Sequence, residues 1–255
     1  MTMKQQADDA VFVNRLYDLA EQTCKTGKYR FTGFLGLHEQ NLLHKEEASL
    51  NYAGLSLFGG TVECERKIAR FGCEEICGYE EAFPIVLLRL SPVSQKYADN
   101  LTHRDVLGAL MGLGIERSCV GDIYIKDNVA FVFALAQMEK LICNELSSAK
   151  HTTLACERID FLPDGVGTAL REEVFLVASE RLDCIVAAVF NLSRETASQL
   201  FQHEKVFVNG KLMQGSRTAP EHAVISVRGF GRFRYDGVNS ISRKGKPRVT
   251  VRIYE

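Results

Sequence analysis

The first 83 residues carry apolar side chains at helical spacing, interrupted by glycines and by one strongly charged run. An apolar helix face near the start is formed by Val11, Leu16, Leu19 and Ala20. The charged run over residues 63–71, which stops at Gly72, predicts a second helix, and residues 54–61 are predicted to form a loop before it. We therefore expect residues 1–83 to be a mainly helical N-terminal region.

Residues 84–170 alternate between strand-like and helix-like patterns. Apolar or alternating runs predict strands over residues 84–90, 122–126, 129–135 and 152–159. Helical spacing predicts helices over residues 102–113 and 137–146, and Asp127-Asn128 predicts a tight hairpin turn. The order strand-helix-strand-strand-helix-strand (βαββαβ) is that of the ferredoxin-like fold, which the RNA-recognition motif shares. The expected fold class is α+β, with an RRM-like central domain.

Two phenylalanines of this central block lie where an RNA-recognition motif would stack bases. Phe131 and Phe133 share one face of the third predicted strand. The strand lacks the basic residue and glycine that lead into the RNA-binding signature. We therefore expect both rings to be core residues, with base stacking as the alternative.

Residues 180–255 show the sharpest pattern in the chain. Two short helix faces are formed by Leu182, Ile185, Val186 and Val189, and by Ala197, Leu200 and Phe201. Ser193 is placed to cap the second helix. Residues 206–208 followed by Asn209-Gly210 predict a hairpin, and a further strand is predicted over residues 224–228. The module is thus expected to pack two helices on a small sheet.

Charge is divided unequally along the chain. From Arg181 onward, 13 Lys and Arg stand against 6 Asp and Glu, a net charge of +7. The other 180 residues contain 18 basic and 26 acidic residues, a net charge of −8, although the whole chain carries only −1. A basic module beside an acidic body is typical of proteins that bind polyanions, most often nucleic acids.

Other features narrow the class of protein. No apolar run approaches the roughly 20 residues of a membrane span, and the start lacks a secretory signal, so we expect no membrane span and a cytoplasmic location. The eight cysteines are scattered, and the one close pair, Cys73 and Cys77, is not completed by a second CxxC or HxxxH pair. We expect buried free thiols, no metal and no cofactor.

The C-terminal module resembles the αL RNA-binding motif, the domain named after the fourth small-subunit ribosomal protein. The matching positions are Arg181-Leu182-Asp183, Ser193-Arg194, Ala197, Leu200, Val206-x-Val208-Asn209-Gly210 and Ile225-x-Val227-Arg228-Gly229. In that family the two-helix face contacts structured RNA through shape and phosphates. Two positions depart from the pattern: Glu204 replaces the usual glycine before the hairpin, and His222-Ala223 replaces a Gly-Asp turn. Because Glu204 removes some positive field, the resemblance implies weaker RNA binding than in members with the glycine.

The chain as a whole resembles the YlmH family, a bacterial group. The matching motifs are Phe58-Gly59-Gly60, Glu65-Arg66, residues 103–117, Gly121-Asp122-Ile123 and residues 228–233. The resemblance implies an N-terminal region, a central RRM-like domain and a C-terminal αL motif, with RNA binding on the ribosome. By analogy with the small RqcP-type proteins, it suggests contact with large-subunit rRNA and peptidyl-tRNA during rescue of stalled ribosomes.

Resemblance and charge together give an expected set of RNA-contacting residues. They are Arg181, Ser193, Arg194, Lys205, Asn209, Lys211, Arg228, Arg232 and Arg234. Asp183 is expected to orient Arg181 rather than to meet phosphate. Arg232 and Arg234 belong to a basic stretch that is either a solvated tail or a source of further phosphate contacts. The expected function is a non-catalytic factor that binds rRNA and tRNA on the ribosome.

Two other functions stay open from the sequence. The first is an RNA-modifying enzyme, because αL motifs are often attached to pseudouridine synthases and rRNA methyltransferases. Arg181-Leu182-Asp183 echoes a synthase motif, but no catalytic domain follows it. The second is a protein-interaction factor linked to cell division, which would use the acidic part of the chain as a docking surface. Binding to a division protein that survives nuclease treatment would favour this second alternative.

Overall fold

A computed structural model describes residues 3–167 and 170–254, and the chain divides after Gly167 into two compact units. The N-terminal unit begins with three helices and a small sheet. The helices are α1 (Met3–Thr26), α2 (Leu37–Leu50) and α3 (Glu74–Cys77), and the strands are β1 (Arg30–Leu35), β2 (Ser56–Phe58) and β3 (Lys67–Phe71). The three strands are antiparallel in the order β1-β3-β2. None of the helices among the described residues has the length and apolar character needed to cross a membrane.

The predicted helix over residues 63–71 is wrong, because Lys67–Phe71 is the central strand of this sheet. Ile68 packs on one side of the strand, while Ala69 and Phe71 pack on the other with α1 and α2. A strand buried on both faces loses the simple alternation of apolar and polar residues. The region over residues 1–83 is therefore a helix-and-sheet layer, and the expectation of a mainly helical region missed the sheet.

The second part of the N-terminal unit is a five-stranded sheet with helices on one face. Its elements are β4 (Ile85–Pro92), α4 (His103–Gly112), β5 (Val120–Lys126), β6 (Val129–Leu135), α5 (Glu139–Glu145), β7 (Ser148–Ala149) and β8 (Thr152–Ile159). The strands are antiparallel in the order β5-β6-β4-β8-β7. Thr102 caps α4 by accepting a hydrogen bond from the Asp105 backbone N–H. Asp127 and Asn128 both have positive φ, as a two-residue hairpin turn requires.

The C-terminal unit places two short helices on a six-stranded antiparallel sheet. Its elements are β9 (Leu170–Leu176), α6 (Leu182–Val189), α7 (Arg194–Gln202), β10 (Val206–Val208), β11 (Lys211–Leu212), β12 (Ala223–Val227), β13 (Gly231–Ile241) and β14 (Pro247–Tyr254). The strand order is β11-β10-β12-β13-β14-β9. The α+β class expected from the sequence is confirmed by the two units together.

The core of the C-terminal unit lies between the helices and one face of the sheet. Leu182, Ile185 and Leu200 of the helices pack against Phe233 and Tyr235 of β13. Residues 231–254 form a long hairpin of β13 and β14, so Arg232 and Arg234 lie in a strand and not in an extended tail. The unit also begins before the basic module, because β9 pairs with β14 along its whole length.

Candidate nucleic-acid interface

The start of α6 is covered by the loop before β12. The Leu182 N–H donates to the Arg217 carbonyl oxygen (2.9 Å), and the Asp183 N–H donates to the Gly215 carbonyl oxygen (3.0 Å). The first N–H groups of the helix are thus bound within the protein. The loop carries the exposed Arg217, and the next residue, Thr218, forms a β-bridge with Arg181. Sequence reasoning missed Arg217, because no periodic pattern in residues 213–219 indicates this crossing.

Arg181 is exposed and forms a two-point ion pair with Asp183. Its Nε lies 3.1 Å from Oδ1 and its Nη2 lies 2.5 Å from Oδ2 of that carboxylate. The hydrogen bond to Asp183 raises the pKa of Arg181. Burial raises the pKa of Asp183, but the hydrogen bond and charge of Arg181 outweigh it, so that the pKa lies below its ordinary value. Asp183 therefore orients an arginine that remains open to solvent on its other side.

Ser193 and Arg194 stand at the start of α7. The Ser193 Oγ accepts a hydrogen bond from the Thr196 N–H at 3.0 Å, which makes Ser193 the N-cap of the helix. Arg194 is exposed, and among the described residues no carboxylate pairs with its guanidinium. Ser193 therefore has a structural role, whereas Arg194 is available to bind a ligand.

Lys205 and Arg228 are brought together where α7 passes into the sheet. The Arg228 N–H donates to the Lys205 carbonyl oxygen (2.9 Å), and both side chains are exposed. The Arg228 guanidinium lies over the Phe207 ring, 4.7 Å from its centroid. Glu204, just before Lys205, has a φ of 54°, the left-handed conformation that favours glycine.

Asn209 has a structural role in the hairpin between β10 and β11. Asn209 and Gly210 have φ values of 48° and 76°, and β10 and β11 pair around them as the predicted hairpin. The Asn209 Oδ1 also accepts a hydrogen bond from the Val224 N–H at 2.8 Å. Lys211 follows the turn, opposite Val208.

Arg232 and Arg234 lie on the face of the sheet that the helices leave uncovered. Phe233 and Tyr235, at the alternate positions, point into the core. The Arg232 guanidinium stacks on Tyr254, 4.6 Å from the ring centroid. Arg234 instead pairs with Asp236, with Nε 2.7 Å from Oδ1.

Asp236 pairs with more than one basic side chain on this face. It also contacts Arg252 at 3.0 Å and His222 at 3.5 Å. Burial raises the pKa of Asp236, but the hydrogen bond and charge of Arg234 outweigh it and hold the pKa below its ordinary value. The same hydrogen bond raises the pKa of Arg234. Arg234 thus has an internal partner that a phosphate would have to displace or share.

The central sheet of the N-terminal unit does not expose its aromatic residues. Phe131 and Phe133 are 5% and 3% exposed, beneath Phe34, Cys64 and Ile68 of the preceding region. The expectation that the two rings belong to the core is confirmed by this burial. The surface on which an RNA-recognition motif would stack bases is therefore occupied by the protein itself.

Two glycines permit this close packing. A Cβ on Gly60 would lie 2.3 Å from the Phe133 ring, and a Cβ on Gly121 would lie 2.6 Å from the Phe34 ring. Both distances are well inside van der Waals contact. The glycines of the motifs Phe58-Gly59-Gly60 and Gly121-Asp122-Ile123 thus serve the packing of the two layers.

A network of hydrogen bonds joins the same two layers. Asp122 accepts the Glu65 and Arg66 N–H groups at 2.6 and 3.1 Å. Arg66 donates from Nη2 to the Phe34 carbonyl oxygen (2.6 Å) and from Nε to the Val120 carbonyl oxygen (3.0 Å). Burial lowers the pKa of Arg66, as expected for a guanidinium held mainly by carbonyl groups. The Glu65-Arg66 motif therefore links the two layers of the protein by hydrogen bonds and is not a surface ion pair.

One cleft of about 670 Å³ stays open beside this sheet, and Phe131 is among the residues that line it. Its basic residues are held by groups of the protein: Arg89 pairs with Glu157 at 2.9 Å, and Lys126 donates to the Asp164 carbonyl oxygen at 2.9 Å. Arg158 pairs with Glu139 at 3.2 Å. The cleft thus offers less free positive charge than the C-terminal unit.

The cysteines form no disulfide, and their burial varies. All eight are free thiols, but only Cys64 is fully buried; Cys24 is exposed and the other six are half-buried, so the expected burial holds only in part. Over residues 3–167 and 170–254, no three His, Cys, Asp or Glu side chains are grouped so as to hold a metal ion.

Comparisons with known proteins agree with the motifs. Residues 79–162 match a family model described as "Putative RNA-binding domain in YlmH". A relative from Bacillus subtilis (strain 168), named "Ribosome-associated protein quality control protein P2", is 29% identical over 251 residues, which cover 95% of this chain and 94% of the relative. A solved structure titled "Cell division protein ylmH from Streptococcus pneumoniae" is 17% identical with a TM-score of 0.49, covering 62% of this chain and 93% of that one.

The family model and the relative match different lengths of the chain. The model falls on the central sheet, where Gly121-Asp122-Ile123 and Phe133 pack against the preceding layer. The relative aligns along nearly the whole of both chains, including the C-terminal unit with its helix caps and hairpin. Together with the motifs seen in the sequence, they show that this chain is similar to YlmH proteins over residues 79–162 and to the Bacillus subtilis relative along nearly its whole length.

Proposed function

We propose that this protein is a non-catalytic RNA-binding factor that acts on the ribosome and uses its C-terminal unit to bind structured rRNA or tRNA. The observation that carries the proposal is a group of exposed cationic side chains on that unit for which the described residues provide no carboxylate partner, among them Arg194, Lys205, Arg217 and Arg228. Because these cations have no carboxylate partner in the part of the chain that the structure describes, they can bind phosphates and release counterions without breaking an ion pair within the protein. Arg181 adds a guanidinium already oriented by Asp183.

The comparisons support the same partner class. The family model over residues 79–162 is described as RNA-binding, and the Bacillus subtilis relative is named for ribosome-associated quality control. Transferred to this chain, these names support RNA binding and a role in quality control at the ribosome. The large subunit and tRNA as ligands are part of the proposal and follow from the resemblance described for the sequence. Because the sheet face around Phe133 is covered, we assign the main RNA contact to the C-terminal unit rather than to the central sheet.

Finer assignments of the fold belong to this proposal. The order β8-β4-β6-β5, with α4 and α5 as connections, supports an RRM-like central domain. The helix pair α6–α7, the hairpin at Asn209-Gly210 and strand β12 support an αL motif. A non-catalytic role is supported by Asp183: both oxygens of this carboxylate, which echoes a synthase motif, are engaged by Arg181.

The test compares two double variants with equal loss of charge. Arg194→Ala with Arg217→Ala removes two cations of the C-terminal unit, and Lys25→Ala with Lys45→Ala removes two from helices α1 and α2. Binding to purified large ribosomal subunits and to tRNA is measured at several salt concentrations. We expect the first pair to weaken binding and to reduce the log–log salt slope by about 0.7–0.9 for each lost phosphate contact. The control pair should keep the wild-type slope.

The results test the proposed site and the proposed function separately. Folded variants that bind like the wild type would remove Arg194 and Arg217 from the interface. A wild-type protein that binds neither ligand would overturn the proposed function.

A further inference from the structure

The open face of the C-terminal sheet combines aromatic rings with guanidinium groups. We define the open sheet face by Phe207 of β10, Ser226 of β12, Arg232 of β13, Tyr254 of β14, and Arg228 beside them. The register places Phe207 opposite Ser226 and Ser226 opposite Arg232, so these three form one row across the sheet. Helices α6 and α7 pack on the other side, against Phe233 and Tyr235.

Two guanidinium groups lie over aromatic rings at the two ends of this row. Arg228 lies 4.7 Å from the centroid of Phe207, and Arg232 lies 4.6 Å from the centroid of Tyr254. Each ring is half-buried, and Arg228 is exposed, so the guanidinium forms the outer layer of its stack. A guanidinium is planar and more weakly hydrated than an ammonium, and its second face can accept a nucleobase.

The surroundings of the row are cationic, although not uniformly. Arg234 lies directly opposite Arg252 in the next row, and Arg248 follows along β14. Among the described residues, the carboxylates that pair with these arginines are Asp236, between Arg234 and Arg252, and Glu172, which lies 3.3 Å from Arg252. Positive charge therefore exceeds negative charge around the two stacks, as a nucleic-acid backbone requires.

We propose that the open sheet face binds unpaired RNA nucleotides by stacking bases on the Arg228–Phe207 and Arg232–Tyr254 pairs. This inference rests on the proposed RNA-binding function and adds a ligand class and a second surface to it. A duplex hides the faces of its bases, so it would gain only phosphate contacts here. An unpaired strand gains both stacking and phosphate contacts, and stacking tolerates any base because every base has a π-face.

The experiment uses the full chain and two fluorescent RNA probes of equal length, a single strand of about 12 uridines and a duplex of about 12 base pairs. Phe207→Leu with Tyr254→Leu removes the rings but keeps apolar side chains. Arg228→Lys with Arg232→Lys keeps both charges but removes the planar groups. Tyr254→Phe is the matched control, because it keeps the ring.

We expect each double variant to weaken binding of the single strand about tenfold and to change duplex binding little. Tyr254→Phe should bind both probes like the wild type. Circular dichroism shows whether each variant is folded. If the leucine double variant does not fold, the lysine double variant still tests the inference. The inference is overturned if the folded lysine pair binds the single strand like the wild type. Equal weakening on both probes would also overturn it, because the face would then supply phosphate contacts alone.

The proposed function and this inference fail in different ways. If the wild type binds structured RNA and Arg194→Ala weakens that binding while the open-face variants have no effect, only the inference is lost. If the wild type binds no RNA of either kind, both are lost.

Discussion

At the scale of single residues, the two departures from the αL pattern have a common conformation. Glu204 has a φ of 54° and His222 a φ of 59°. Both stand in or beside positions where that motif usually has glycine, and the left-handed region explains why glycine is favoured there. This chain therefore has the left-handed backbone conformation at both positions, although Glu204 and His222 carry side chains that strain it and glycine would not.

Replacing Glu204 by glycine should raise both stability and RNA affinity. Relief of the left-handed strain, less the greater freedom of glycine in the unfolded chain, is worth about 0.5–1 kcal/mol. Loss of the carboxylate beside Lys205 also raises the local positive potential. Denaturant unfolding measures the first effect and RNA titration the second.

A glutamine at the same position separates the two causes. Glu204→Gln removes the charge but keeps a side chain in the left-handed conformation, so it should raise RNA affinity without raising the free energy of unfolding. If both variants leave the free energy of unfolding unchanged, strain at this residue is not significant.

At the scale of elements, the two helices of the C-terminal unit depend on different caps. The loop carbonyls of Gly215 and Arg217 cover the start of α6, whereas a single side chain, Ser193, caps α7. Ser193 was also expected to contact RNA, and the cap bond alone would explain its presence.

Two substitutions of Ser193 distinguish the cap from an RNA contact. Ser193→Ala should lower the free energy of unfolding by about 1 kcal/mol, because the Thr196 N–H loses its acceptor. Ser193→Asp restores an acceptor and favours the helix start, so stability should return, but it places a negative charge beside Arg194. We expect Ser193→Asp to be stable and to bind RNA more weakly, as measured by thermal unfolding and by titration. RNA binding equal to that of the wild type would show that phosphate does not approach this end of α7.

The elements that the sequence predicts well are those with local signals. The turns at Asp127-Asn128 and Asn209-Gly210 need residues that tolerate positive φ, and the caps at Thr102 and Ser193 need a side-chain acceptor. Strand β3 could not be predicted this way, because packing on both of its faces removes the alternation.

Long-range pairing is the second limit on prediction from sequence. Strand β9, with the sequence LREEVFL, is held by its pairing with β14, about eighty residues later. The stacks of Arg228 on Phe207 and Arg232 on Tyr254 likewise depend on register between strands. The sequence thus predicted Arg228 and Arg232 as RNA-contacting residues, but it did not predict the aromatic rings beside them.

At the scale of the whole molecule, charge and fold boundaries almost coincide. Residues 168–255 contain 14 basic and 9 acidic residues, a net charge of +5, and the remaining residues carry −6. The acidic residues of β9 and Glu180 explain why this unit is less positive than the module that begins at Arg181. The C-terminal unit has its own core, centred on Phe233 and Tyr235, and its own complete sheet.

These properties predict that a fragment of residues 168–255 folds by itself and retains RNA binding. Its core and sheet need no strand from the other unit, and its cations remain together. The fragment should unfold cooperatively and bind tRNA with the salt slope of the full chain, since that slope counts the phosphates contacted. The matching fragment of residues 1–167 should bind far more weakly, because it is acidic and its central sheet covers Phe131 and Phe133. A folded C-terminal fragment with a much smaller salt slope than the full chain would mean that the central domain supplies phosphate contacts of its own, and would move Arg89, Lys126 and Arg158 into the interface.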